Sequence, residues 1–170
     1  FRPIAEIQYL DYLMFALQTL SDDLATVSYR SVGKQLAPLI VRTRGHRLEG
    51  MWHAGSPMGM ILNSLKGMLV LTPRNMVQAS GMYNTLMSCT DPALIIEPLN
   101  AYRLKEKEPL NLGEFTVPLG KIEIINPGTD ITVVSYGSTL KLVEKTIPEL
   151  QRNNINICLL YTSPSPRDSR

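Results

Sequence analysis

Short apolar runs alternate with longer stretches of helical periodicity along this chain, and the alternation predicts its architecture. Residues 3–7 (PIAEI) read as a strand. Residues 9–27 then carry Leu10, Leu13, Met14, Leu17, Leu20 and Leu24 at helical spacing, which gives one apolar stripe. PLIV at 38–41 is expected to be a buried strand, and another apolar segment begins over 60–65. MLVL at 68–71 predicts a second central strand. Thr72 and Pro73 follow it as an N-cap and first-turn pair, with Met76, Val77, Met82, Leu86 and Met87 as the inner face of the helix they open. Gly81 interrupts that helix at a cost of about 1 kcal/mol relative to alanine, tolerable where another element packs closely. Asp91-Pro92 closes a turn, and ALII at 93–96 is the next buried strand. Strands this short and apolar, alternating with helices, imply βαβ units and an α/β fold with a parallel sheet.

The pattern changes after Glu97. YRLKEKEP at 102–109 is a charged run, and residues 110–118 carry Asn, Gly and Pro with weak periodicity, as a linker does. A new βαβ unit follows. KIEII at 121–125 is expected at a sheet edge and DITVVS at 130–135 as a strongly buried strand. Gly137 and Ser138 form a turn and cap, and Leu140, Val143, Ile147 and Leu150 mark a helix in which Pro148 should cause a kink or an early end. A last strand begins at Ile155. From Tyr161 onward, YTSPSPRDSR has no aliphatic residue, and CLLYTSPSPRD at 158–168 resembles the in-frame translation of a transposon-end sequencing adapter. Residues 158–170 are therefore expected to be non-native, and no function is drawn from them. The chain opens FRPI, without an initiating methionine, and reads as starting in mid-domain.

Composition narrows the function classes. At 170 residues, 44% hydrophobic and 19% charged, the chain has room for one domain, or one domain and part of another. The net charge is +2 and the basic residues are dispersed, which gives no nucleic-acid surface. No apolar run approaches the ~18 residues that span a bilayer, and no signal-peptide pattern opens the chain, so a cytoplasmic protein away from membranes is expected. Cys89 and Cys158 lie far apart, without the spacing of a disulfide framework or a zinc site. Candidate chemistry concentrates instead in RTRGHRLEGMWHAGSPMG at 42–59, which holds both histidines, the only tryptophan, three arginines and four glycines. A glycine-rich polar loop after a buried strand is where open α/β sheets bind ligands, and its histidines and arginines supply a titratable group and fixed charge. A solvated surface loop is the competing reading.

AEIQYLDY, APLIVRTRGH, HAGSP, MLVLTPRNMVQASGMYNTL, DPALIIEP and TDITVVSYGS, in that order over residues 1–157, resemble the beta-subunit portion of thiamine-diphosphate-dependent 2-oxo acid dehydrogenases. The similarity is to the form with alpha and beta portions fused. The resemblance implies a partial transketolase-like pyrimidine-binding domain over 1–109, a linker and edge strand over 110–127, and the start of a transketolase C-terminal domain over 128–157. Thiamine diphosphate then lies between this domain and a partner alpha portion, which grips the diphosphate through Mg²⁺ with a Gly-Asp-Gly motif. No Gly-Asp-Gly occurs here, so no metal ligand is assigned to this chain. The family's activating glutamate is expected upstream of Phe1; Glu6 does not align with it and reads as a hydrogen-bonded strand carboxylate.

By the same resemblance Gln8 and Tyr12 match positions that contact the aminopyrimidine ring, and Tyr12 suits stacking upon it. His53 matches the histidine opening a pattern that usually reads His-Ser-Gln-Ser, which implies a catalytic role near the lipoyl-accepting step. Here the pattern is His53-Ala54-Gly55-Ser56, in a loop two residues shorter than in common beta subunits. His46 has no catalytic counterpart and reads as structural or solvated. The implied function is oxidative decarboxylation within a multienzyme complex, with a lipoylated acyltransferase core and an oligomeric assembly as partners and branched-chain 2-oxo acids favoured as substrates. The isolated chain is expected to be inactive. The alternatives are another transketolase-like thiamine enzyme, against which the scarcity of histidines weighs, and a non-catalytic docking subunit.

Overall fold

The computed structural model describes residues 1–162. Four strands, β1 (Ile4–Tyr9), β2 (Ile40–Gly45), β3 (Leu69–Leu71) and β4 (Ala93–Pro98), form a wholly parallel sheet in the order β1-β2-β4-β3. The pleat sends alternate residues to opposite faces. Val41, Val70, Leu94 and Ile96 point into one core with Leu10, Leu13, Ile61 and Leu65. Ile40, Leu71, Ala93 and Ile95 point into another with Met82, Leu86, Leu140, Leu159 and Tyr161. A sheet covered on both faces needs strands apolar throughout, which is why β4 reads as an unbroken ALII.

Helix α3 (Met58–Ser64) covers the first face, and α4 (Met76–Ser88) covers the second. Beyond α4 a second sheet has the order β5-β7-β6, with β5 (Glu123–Asn126) antiparallel to β7 (Ile157–Tyr161) and β6 (Ile131–Ser135) parallel to it. Helix α5 (Gly137–Arg152) and β7 contribute Leu140, Leu159 and Tyr161 to the α4 core, so the two sheets share it. The Tyr161 hydroxyl donates to the Thr72 carbonyl at 2.8 Å, and Arg74 pairs with Glu123 at 2.6 Å, tying the sheets together.

Several local expectations are corrected. The single helix over 9–27 is instead a 3₁₀ turn at Leu10–Tyr12, α1 (Leu13–Gln18), a π turn at Thr19–Leu24 and α2 (Val27–Arg30). Leu13 and Leu20 are buried, whereas Met14, a residue further round α1 from Leu13, is exposed, and the π turn shifts the repeat beyond Thr19. Thr72 and Pro73 do not open α4. Thr72 is fully buried, and Asn75 is the cap, its side-chain oxygen accepting from the Gln78 N–H at 2.8 Å. Glu106, from the charged run, accepts from the Met76 N–H at 2.8 Å and completes that helix start. Met76 and Met87 are exposed, and Gln78 and Gly81 face inward with Met82 and Leu86. Strand β6 lies at a sheet edge, with Ile131 and Val134 exposed. Helix α5 runs through Pro148 to Arg152 without ending early, because Pro148 faces solvent, where water can satisfy the carbonyl it frees.

Gly81 is where the segment over 110–118 crosses α4. A Cβ there would lie 2.5 Å from both Phe115 Cε2 and Val117 Cγ2, and the Val117 N–H donates to the Gly81 carbonyl at 3.2 Å. Gly81→Ala recovers about 1 kcal/mol of helix propensity. It also forces two packed side chains aside, at about 1–3 kcal/mol. A lower urea midpoint is the expected outcome, and an unchanged or higher one would show that this crossing is loose.

Candidate active site

Parallel α/β sheets gather ligand-binding loops at the carboxyl ends of their strands. Here β1 ends at Tyr9, after a register shift between Ile7 and Tyr9, and β2 ends at Gly45. The glycine-rich loop leaves β2 and returns His53 to the end of β1. The His53 ring stacks on Tyr9, with centroids 3.6 Å apart and planes 8° apart, and meets Tyr12 edge-on at 5.6 Å. Its Nδ1 lies 3.3 Å from Asp11 Oδ2, across 42 residues of sequence. Arg44 at the end of β2 places its guanidinium carbon 4.5 Å from the Tyr9 ring centroid and donates from Nε to the Gln8 carbonyl at 3.1 Å. Two of the three residues singled out in the sequence, Tyr12 and His53, are thus in direct contact. Gln8 is linked to them only through its backbone carbonyl, which accepts from Arg44, and its side chain is exposed without a hydrogen bond to either.

The loop is held by its other histidine. His46 is buried, its Nδ1 is 2.9 Å from the Ser56 hydroxyl, and its ring stacks on Tyr136 at 4.9 Å. Its carbonyl accepts from the Ser138 hydroxyl at 3.0 Å, so His46 fastens the start of the loop against the start of α5 and ties Ser56, near the loop's other end, to itself. Burial pushes the His46 pKa below that of free histidine, with the Tyr136 backbone opposing only part of the effect. A neutral, packed imidazole is a structural part of the loop. Both His46 and His53 have positive φ, +51° and +56°, conformations that a loop keeps only when its contacts over-determine them.

No protein-family profile matches the chain. The mitochondrial 2-oxoisovalerate dehydrogenase subunit beta of Chaetomium thermophilum is 36% identical over 145 residues, covering 82% of this chain and 30% of that subunit. The pyruvate dehydrogenase E1 component subunit beta of Acholeplasma laidlawii is 29% identical over 158 residues, covering 92% of this chain and 48% of the relative. The chain is homologous to beta subunits of 2-oxo acid dehydrogenases. It spans about half or less of the length of these beta subunits. A solved split-gene transketolase, described as an inactive beta4 tetramer, matches the fold with a TM-score of 0.72 at 14% identity, over 94% of this chain and 48% of that one.

In this beta-subunit homologue, sequence reasoning passed over Tyr9, Asp11 and Arg44. The signal available was local: Tyr9 and Tyr12 are three residues apart, so a single turn brings their rings together, 5.9 Å between centroids. Nothing in the sequence pairs Asp11 with His53. A second polar cluster lies deeper along the sheet. Glu97 accepts from Arg42 Nη2 at 2.7 Å, Arg42 Nε at 3.3 Å and the Tyr83 hydroxyl at 2.6 Å, and also from the Tyr102 hydroxyl. Glu6 pairs with the same Arg42 at 3.0 Å, which makes it part of an ion-pair network. A cavity of about 890 Å³ adjoins Arg42, Tyr83, Glu97 and Tyr102 and shares no lining residue with the His53 cluster.

Proposed function

We propose that the chain forms the aminopyrimidine side of a thiamine diphosphate site in the decarboxylating component of a 2-oxo acid dehydrogenase complex. The observation that carries this reading is the convergence of Tyr12 and His53 on one face at the carboxyl ends of β1 and β2. The residues fit the group they are assigned. Tyr12 offers a partly exposed aromatic ring to stack on a pyrimidine, and Gln8 an exposed amide to orient its nitrogens. When bound, the cofactor supplies the carbanion chemistry that releases carbon dioxide from a 2-oxo acid. His53, beside that face, holds or donates a proton as the acyl group passes to a lipoyl arm.

In this reading residues 1–109 form the pyrimidine-binding domain and 128–157 begin a C-terminal domain. An alpha portion supplies the diphosphate grip and Mg²⁺, and a lipoylated acyltransferase core receives the acyl group. Branched-chain 2-oxo acids are the favoured substrates by family analogy, and relatives of both the 2-oxoisovalerate and the pyruvate type are similar to the chain. The transketolase fold match favours a second reading, a sugar-phosphate enzyme. At 14% identity, and with only two histidines to grip phosphate, it is the weaker one.

By itself, with thiamine diphosphate and Mg²⁺, the 170-residue chain is expected to release no carbon dioxide from any 2-oxo acid. Mixed with the alpha subunit of the Bacillus subtilis 2-oxoisovalerate dehydrogenase, it is expected to bind the cofactor, measured by calorimetry. Tyr12→Ala should then weaken binding roughly tenfold, the worth of one aromatic contact. Turnover by the chain alone, or full affinity in Tyr12→Ala, would sink this assignment.

A further inference from the structure

We infer that Asp11 is a positioning residue that fixes the His53 imidazole in its Nδ1–H form and keeps Nε2 as the available acceptor. A carboxylate accepts and does not donate, so a hydrogen bond between Asp11 Oδ2 and His53 Nδ1 at 3.3 Å requires the proton on Nδ1. Nε2 then carries the lone pair, and it has no hydrogen-bond partner among the described residues.

Three features make the contact a built one. The first is the mounting of Asp11. It sits in the 3₁₀ turn between Leu10 and Leu13, both at most 1% exposed, so the carboxylate is anchored to the core while His53 rides on a loop. The second is the ring plane. Tyr9 stacks at 3.6 Å and Tyr12 meets the imidazole edge-on at 85°, which fixes the ring plane and leaves the bond to Asp11 to choose which of the two flips in that plane the ring adopts. The third is Gly55. A Cβ at that position would lie 2.5 Å from Asp11 Oδ1, so the absence of a side chain there leaves the carboxylate its place. The positive φ of His53 shows the same loop held against its backbone preference by these contacts.

The significance of the contact rests on the proposed role of His53 in acyl transfer. An imidazole with Nδ1 tied to a carboxylate presents Nε2 in one protonation form and one orientation, as a proton acceptor near a reacting group must. Asp11 acts through His53 and touches no reactant itself.

Two-bond ¹H–¹⁵N correlation spectra of the ¹⁵N-labelled 170-residue chain, recorded at about pH 9 where histidine side chains are ordinarily neutral, read the tautomer directly. Wild type is expected to show His53 protonated at Nδ1. Asp11→Ala should change the ratio of the two tautomers about tenfold towards Nε2–H, the scale of one charge-assisted hydrogen bond. Asp11→Asn, whose amide oxygen still accepts, should keep the wild-type form. If Asp11→Ala does not fold, Gly55→Ala tests the same contact by displacing the carboxylate, and should shift the ratio in the same direction. His53 found as Nε2–H in wild type, or a ratio unmoved by Asp11→Ala, overturns the inference whatever the chain's function. Because turnover is not measured, failure of cofactor binding with the alpha subunit would sink the functional reading and leave this contact intact.

Discussion

Glu97→Ala is expected to lower the stability of the chain by about 3 kcal/mol, the range for breaking a largely buried ion pair. The Glu97 side chain is 14% exposed at the end of β4 and accepts from Arg42, Tyr83 and Tyr102. Its removal leaves Arg42 with the half-exposed Glu6 and the Tyr102 hydroxyl, and the Tyr83 hydroxyl without its acceptor. Burial by itself pushes the Glu97 pKa up, but the hydrogen bonds from Arg42, Tyr102 and Tyr83 outweigh it and hold the carboxyl below its ordinary value. The sign of the pH dependence follows. The unfolded chain takes up the proton first as pH falls, so the stabilisation is complete above the ordinary glutamate pKa of about 4.3 and is lost as pH drops through the lower folded value. Urea midpoints of wild type and Glu97→Gln should therefore differ most near pH 7 and converge in acid. A gap that stays constant to pH 3 would show that the charge on Glu97 contributes nothing.

The parallel sheet was legible where a strand buried on both faces writes itself as a continuous apolar run: ALII lies in β4 and LVL is β3, whereas only Ile40 and Val41 of PLIV belong to β2, which continues through residues 42–45, placed by the sequence pattern in the loop. Edges are written less clearly. DITVVS is rich in β-branched residues and reads as a buried strand, yet β6 lies at the rim of the second sheet, since strand order depends on how β7 inserts between β5 and β6. Helix starts failed for a similar reason. Thr72-Pro73 has the right local chemistry, but Tyr161 draws Thr72 into the core, and Glu106 arrives from thirty residues away to complete the start of α4 at Met76. Of the candidate site, the resemblance supplied Gln8, Tyr12 and His53. Asp11, Tyr9 and Arg44 became visible only when β1 and β2 were paired in register, because their contacts to the loop are long-range and follow no period.

His53→Asn is expected to separate two partial activities once the chain is assembled with an alpha subunit. Asparagine tolerates the left-handed backbone that His53 adopts, at φ +56°, and can still reach Asp11, so the loop should keep its shape. What it cannot do is exchange a proton near neutral pH. If His53 serves the lipoyl-accepting step, transfer to a lipoylated domain falls by about 10²–10⁴, the usual contribution of general acid–base catalysis. Decarboxylation measured with an artificial electron acceptor, which bypasses lipoyl, should change little. The split distinguishes a proton-handling residue from a cofactor-binding one: Tyr12→Ala should depress both activities through weaker cofactor binding, with partial recovery at high thiamine diphosphate, whereas no cofactor concentration should restore lipoyl transfer in His53→Asn. Equal loss of both activities in His53→Asn would place the histidine at the cofactor instead. No loss in either would leave the Tyr9, Asp11 and Tyr12 cluster as a structural clasp for the loop.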